Sequence, residues 1–186
     1  NYSKSEAAAR ETAAACEALG VETIVVQASV AEDEDCRRLA AETMQKWGRI
    51  DALVNNAGTT RLADQTDLDA LDADDFLRVY RVNVVGAYQM VRAVAPHMKA
   101  AGSGAVVNVS SIAGIMGIGS SIAYAASKGA LNTMTLSLAR SLAPEIRVNA
   151  VCPGYTETEM VLRTVANIVD PIYTVVAKFP KRYLPR

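Results

Sequence analysis

One histidine, one tryptophan, two phenylalanines and three cysteines are all that this chain of 186 residues has of those types. Each scarcity removes a class of function. Cys16, Cys36 and Cys152 are odd in number, widely spaced and without a Cys-x-x-Cys pair, so neither a disulfide framework nor a Cys/His zinc site is expected. His97 stands near a predicted helix end with no triad partner in the pattern and reads as a solvated side chain. Charge of one sign is lacking as well: 19 Lys plus Arg face 20 Asp plus Glu. That balance speaks against nucleic acid or an anionic membrane as partner and for a small molecule of little charge. No apolar run reaches the roughly 20 residues that span a bilayer, and the first residues lack the charged-then-apolar order of a secretory signal. A reducing, cytoplasmic setting is expected. What the chain has is apolar content, 51% against 21% charged, which suits one domain with one core and excludes a disordered polymer.

Helix and strand signals alternate along the chain. Ser3 to Glu6 opens an Ala-rich helix over 7–19, which Gly20 stops. Val21 to Gln27 is a β-branched run that predicts a strand, and acidic Glu32 to Asp35 opens a helix ending near Trp47 and Gly48. Asp51 to Val54 predicts a strand, and a long helix is expected over about 74–101. In it Phe76, Val79, Tyr80, Asn83 and Ala87 recur at helical spacing on one face, and Pro96 bends the last turns without ending them. Gly104 to Val109 (strand), Tyr124 to Leu142 (helix) and Ile146 to Val151 (strand) follow. Strands separated by helices of this length need crossovers, so the expected fold class is α/β: a doubly wound parallel sheet with helices on both faces, three layers in a single domain over 1–186. Ligands of such sheets sit beyond the carboxyl ends of the strands, so the segments after Val54, Val109 and Val151 carry the interest.

Those segments are Asn55-Asn56-Ala57-Gly58, Ser110-Ser111 and Cys152-Pro153-Gly154, all small or hydrogen-bonding. Tyr124 and Lys128 stand four apart at a helix start, on one face. An ammonium near a phenol favours the phenolate and is expected to lower the Tyr124 pKa from about 10 toward the working range. Ser111, thirteen residues before Tyr124, is expected to hold a substrate oxygen beside it, whereas Ser110 satisfies backbone groups. When a carbonyl carbon is reduced, charge grows on its oxygen, and a positioned acid with a second donor stabilises it. The same groups serve alcohol oxidation in reverse.

Asn55-Asn56-Ala57-Gly58, Asn83, Ser111, Tyr124-Ala-Ala-Ser-Lys128 and Pro153-Gly154, in this order, resemble the short-chain dehydrogenase/reductase family over nearly the whole chain. The resemblance implies a Rossmann-like fold and an oxidoreductase moving a hydride between a nicotinamide cofactor and a secondary alcohol or ketone. It makes Tyr124 the acid/base, Ser111 the polarising group, Lys128 the ribose ligand that depresses the tyrosine pKa, and Asn83 the holder of a relay water. Asn55, Ala57 and Gly58 would lie along the adenosine side and central turn of the dinucleotide. Pro153, Gly154, Thr156 and Thr158 would border the nicotinamide. Family members assemble through the long helix and the catalytic helix, so a homotetramer is expected.

Against the family pattern, the Gly-rich phosphate turn that should precede the first helix and the last strand with its Asp-Gly-Gly ending are not in the chain. The expectation is a domain incomplete at both ends, the ordered part of a longer protein. Ser29 and Val30 stand where relatives often place an acidic residue against adenine. Tyr2, with Ser3 and Lys4 following, occupies the position of an acid that would pair with the ribose hydroxyls of NAD. Hydroxyl and ammonium suit a 2′-phosphate, so NADP is expected, with NAD as the other possibility. Gly114-Ile-Met-Gly117-Ile-Gly119 imitates a dinucleotide fingerprint with wrong spacing and no strand-to-helix turn; it reads as a flexible wall of the substrate pocket. That pocket, from Ile112 to Ile122 with Tyr155 and 160–179, is mostly apolar and suits a hydrophobic carbonyl compound. The competing readings are a catalytically silent scaffold or regulatory subunit with this fold, and an isomerase, epimerase or dehalogenase, lineages that usually alter the Ser/Tyr/Lys set.

Overall fold

The structure, a computed structural model, describes residues 1–154. Three strands, β1 (Ala52–Asn55), β2 (Gly104–Val109) and β3 (Ile146–Val151), pair in the order β1-β2-β3, all parallel, with Leu53 opposite Val106 and Val106 opposite Val148. Parallel neighbours cannot be joined by a hairpin, and helices make both crossovers. Between β1 and β2 run α3 (Ala73–Tyr80), a π-helical turn (Arg81–Gly86) and α4 (Ala87–Ala100); between β2 and β3 run α5 (Ala113–Met116) and α6 (Ile122–Leu142). Helices α1 (Glu6–Glu17) and α2 (Asp33–Trp47) come before the sheet. The topology is that of a Rossmann-like α/β domain.

Local signals explain the helix bounds. Asp33, Glu34 and Asp35 place negative charge in the first turn of α2, where the helix dipole favours it, and Gly48 closes that helix at φ +69°. Asp72 caps α3 by accepting the Asp75 N–H at 2.9 Å. Ser121 caps α6 by accepting the Tyr124 N–H at 3.2 Å, so α6 starts two residues before the expected Tyr124. Pro96 lies inside α4 and does not end it.

The core sits on one face of the sheet. Met90, Val91, Val94 and Met98 of α4 pack on Val106, Ile146 and Val148, with Cys36 and Ala40 of α2 outside them and Leu138 and Leu142 of α6 at the side. The opposite face leaves Ala52, Val54, Arg147, Asn149 and Val151 exposed, and α1 has no buried residue. The layering of the fold is represented among the described residues by its packed face alone. The strand expected over Val21 to Gln27 is likewise reduced to a single bridge, Tyr2 to Gln27, made by Tyr2 N–H to Val26 O at 3.2 Å and Ala28 N–H to Tyr2 O at 2.8 Å. The pairing segment turns away at Ser3 toward α1, and one rung cannot propagate a ladder.

Candidate active site

The carboxyl ends of the three strands, the π turn and the start of α6 meet at one end of the sheet. Tyr124 and Lys128, one helical turn apart on α6, bring the Lys128 ammonium to 5.6 Å from the Tyr124 ring centroid. Lys128 is 4% exposed, and its Nζ donates to the Val109 carbonyl at the end of β2 at 2.8 Å. Burial disfavours the cation and brings the Lys128 pKa down to about 8, the Cys152 thiol opposing this slightly. Burial also raises the Tyr124 phenol above its ordinary value, while the Ser111 hydroxyl facing it pulls the other way. The lowering of the Tyr124 pKa expected from Lys128 is therefore reversed here. Desolvation outweighs the pull of the Ser111 hydroxyl, and the ammonium, turned to the Val109 carbonyl, adds no resolved attraction.

Ser111 follows β2, and its Oγ accepts the Ala113 N–H at 3.1 Å. Ser110, as expected, is structural: its hydroxyl donates to the Lys128 carbonyl at 3.1 Å. Pro153 and Gly154 lie against this loop, Pro153 O accepting the Ile112 N–H at 3.0 Å. Cys152 donates its thiol toward Asn132 Oδ1 at 3.6 Å. Thr156 and Thr158, with Tyr155 and 160–179 of the expected pocket wall, lie outside the described residues.

The Asn-Asn-Ala-Gly segment divides in two. Asn55 is buried, its amide donating to Asn108 Oδ1 at 2.9 Å and to the Ala87 carbonyl at 3.3 Å, so its side chain faces the core and not a nucleotide. Ala57 and Gly58 are exposed. A Cβ on Gly58 would lie 3.6 Å from Asn83 Oδ1 and 3.8 Å from Lys128 Nζ, which puts this backbone directly beside the lysine. Asn83, 1% exposed, spends its amide on protein: it accepts the Thr59 N–H at 2.8 Å and donates to Thr59 O at 2.9 Å and Ser127 Oγ at 3.0 Å. Both amide protons are spent, so a relay water is left the backbone carbonyl or the second lone pair of Oδ1.

The positions assigned to the adenosine end are spread along the N-terminal side. Tyr2, Ser3 and Lys4 line a surface cavity of about 290 Å³ with Ser5, Ala8 and Thr12. Ser29 and Val30 follow the Tyr2–Gln27 bridge; the Ser29 N–H donates to Asp35 at 2.7 Å, and the Val30 side chain packs on Gly86 in the π turn.

Several functional positions escape motif reading. Gly114 was expected in a flexible wall, yet a Cβ there would come within 2.5 Å of Gly129 N and 2.8 Å of Lys128 O. The glycine lets α5 touch α6 at the lysine. Loop 59–66 is tied to the wall: the Thr60 and Ser120 hydroxyls share a 2.6 Å bond, and Ala63 N–H donates to Ser120 O at 3.0 Å. The pairing of Thr60 with Ser120 spans sixty residues and leaves no local signal.

A buried ammonium with three donors and one carbonyl partner has two N–H groups left for ligand oxygens, and Gly58, without a Cβ, leaves room beside it. The donor set fits a ribose diol. No cluster of three or more His, Cys, Asp or Glu that could hold a metal occurs among the described residues, and none of their helices is long and apolar enough to cross a membrane.

A parallel α/β sheet with Ser, Tyr and Lys gathered at the carboxyl ends of its strands defines the class of dinucleotide-fold oxidoreductase domains. The family model described as short chain dehydrogenase matches residues 2–168, and the chain belongs to this family. It is 44% identical over 137 residues to a ketoacyl reductase assigned to the granaticin polyketide synthase of Streptomyces violaceoruber, covering 74% of this chain and 55% of that protein. Among solved structures, a short-chain dehydrogenase/reductase from Burkholderia xenovorans is 50% identical with a TM-score of 0.84, over 87% of this chain and 68% of that one. NAD+-bound xylitol dehydrogenase is 35% identical with a TM-score of 0.80, over 86% and 61%. ElxO with NADP bound is 32% identical with a TM-score of 0.70, over 76% and 56%. The chain thus spans little more than half the length of the granaticin reductase.

Proposed function

We propose that this chain carries the catalytic half of an NADP-dependent oxidoreductase that interconverts a ketone and a secondary alcohol, with Tyr124 as acid/base. The observation that carries the reading is convergence. Ser111 and Lys128, from two elements, meet Tyr124 beside the Gly58 loop and the Pro153 turn.

Each residue has a definable task. Ser111 and the Tyr124 hydroxyl hold the carbonyl oxygen between them and stabilise the charge that grows there. A phenol held above its ordinary pKa stays protonated at neutrality, so Tyr124 begins as the proton donor, the state that carbonyl reduction requires. Lys128 turns its free N–H groups to the ribose hydroxyls and, as ammonium, supports the phenolate left behind. The Asn83 backbone carbonyl carries the water that returns a proton through Lys128. The dinucleotide, when bound, supplies or accepts the hydride.

The hydroxyls of Tyr2 and Ser3 and the ammonium of Lys4 around one cavity support NADP over NAD; the likeness to both an NADP-bound and an NAD+-bound structure is consistent with either cofactor. Exposed Ile115 and Met116 beside the site support an apolar carbonyl substrate. Exposed Leu77, Tyr88 and Leu136 on α3, α4 and α6 support assembly of copies through these helices, a homotetramer by family likeness. The even charge balance supports a small-molecule enzyme, and the three free cysteines support a reducing, cytoplasmic setting.

The test is oxidation of NADPH and of NADH by the intact protein against a panel of apolar and polar ketones. Tyr124→Phe is expected to lose about 10²- to 10⁴-fold in kcat. Equal rates in the two proteins would remove Tyr124 from the reaction.

A further inference from the structure

Ser127 belongs to no motif position that does chemistry, yet it is completely buried and its hydroxyl is used in both directions. It accepts the Asn83 amide proton at 3.0 Å and donates its own proton to the Tyr124 carbonyl at 2.7 Å. Asn83 in turn clasps both backbone groups of Thr59, its Oδ1 accepting the N–H at 2.8 Å and its Nδ2 donating to the carbonyl at 2.9 Å. Thr59 follows Gly58, whose missing side chain faces Lys128 Nζ. Three pieces of chain far apart in sequence, the loop after β1, the π turn and the first turn of α6, are thereby joined by one chain of direct hydrogen bonds. Ser127 is the only hydroxyl in it. Fully paired buried networks hold one geometry, because each member lost leaves another unpaired in a low dielectric.

We propose that Ser127 is a positioning residue: its hydroxyl locks the Tyr124–Lys128 turn of α6, through Asn83, to the Thr59 backbone, so that the acid/base pair and the loop beside the ribose site hold one relative placement. This rests on the reading of Tyr124 and Lys128 as the reacting pair. An alanine at this position keeps the helix and the volume nearly unchanged, but it leaves one Asn83 N–H unpaired and the Asn83–Thr59 clasp cut off from α6. The effect therefore falls on the geometry of the step, and less on binding of the ketone.

The experiment compares wild type, Ser127→Ala and Ser127→Thr in the intact protein, with two readouts. Hydrogen exchange at the Thr59 amide is expected to speed at least tenfold in Ser127→Ala, while the sheet amides of Leu53 and Val107 keep wild-type rates; a general loss of stability would move all three together. With saturating NADPH and a ketone reduced by the wild type, kcat is expected to fall about tenfold or more, with the ketone KM within twofold, and Ser127→Thr, which keeps the hydroxyl, recovers most of both. Unchanged exchange at Thr59, or normal kcat despite faster exchange, overturns the proposal. If Ser127→Thr does not fold, the Ser127→Ala exchange pattern and the split between kcat and KM still decide it. Should Tyr124→Phe prove as active as wild type, the functional reading fails on its own evidence, and the Thr59 exchange continues to report whether the linkage exists.

Discussion

Burying an ammonium with one carbonyl partner costs stability, and Lys128 bears that cost for the sake of the site. A pKa brought from 10.5 down to about 8 corresponds to a penalty on the order of 3 kcal/mol on the charged form. The unfolded chain binds the proton more tightly, so this penalty is complete below pH 8 and is relieved as pH rises from about 8 to about 10.5. Tyr124 and Cys36, both raised by burial, work in the opposite sense at high pH, so the comparison of variants isolates the lysine. Lys128→Met is expected to be more stable than wild type at pH 7, with the gap closing by pH 10.5, as measured by urea unfolding across that range; a gap independent of pH would mean that Lys128 is not desolvated. At Gly114 the constraint is steric. A methyl there meets the Lys128–Gly129 peptide, which cannot swing aside as a side chain would. Gly114→Ala is expected to lose about 3 kcal/mol of stability, at the upper end of overpacking effects, and to lower ketone reduction by moving Lys128. Thermal unfolding together with the NADPH assay checks both.

At the level of elements, a line of buried polar groups ties the sheet to its helices. Asn55 reaches Asn108, and Asn108 donates to Thr135 Oγ1 at 2.9 Å, which donates to Leu131 O at 2.8 Å. The line sets the end of β1 at a fixed height against α6, and Asn108 at its centre is fully buried. Asn108→Leu leaves the amide of Asn55 short of a partner and breaks the tie, with an expected loss of about 1 to 3 kcal/mol, read from denaturant midpoints. Strands β2 and β3 were legible to the residue, since their apolar runs are short, β-branched and bounded by turn residues. The long helix was legible as a helix, but its π turn was not: widening one turn to seat Asn83 depends on what Asn83 binds, and Thr59 and Ser127 are far away in sequence. Val21 to Gln27 has the composition of a strand and forms only one bridge, because strand propensity needs a partner to express itself.

For the molecule as a whole, Leu77, at 67% exposed, Tyr88, at 46%, and Leu136, at 58%, are large apolar groups that a lone domain would leave in water. On the proposed assembly of copies through these helices, the double variant Tyr88→Glu, Leu136→Asp is expected to lower the mass of the intact protein in light scattering, with little change in its α-helical circular dichroism. An unchanged mass would place the subunit contacts elsewhere. The grouping of the candidate site was readable in advance because residue types at strand ends and a four-residue helical spacing are local properties: Ser111, Tyr124 and Lys128 come together because a parallel α/β chain brings its strand ends to one side. The burial of Asn55, the exhaustion of the Asn83 amide, the rise of the Tyr124 pKa and the contact at Gly114 were decided only by tertiary structure. Each depends on which distant atoms exclude water or occupy a donor. The sequence by itself determined the alternation of elements, the family and the candidates for the reacting groups; packing determined their protonation and their placement, since desolvation and hydrogen-bond satisfaction are properties of an enclosed volume and not of a spacing.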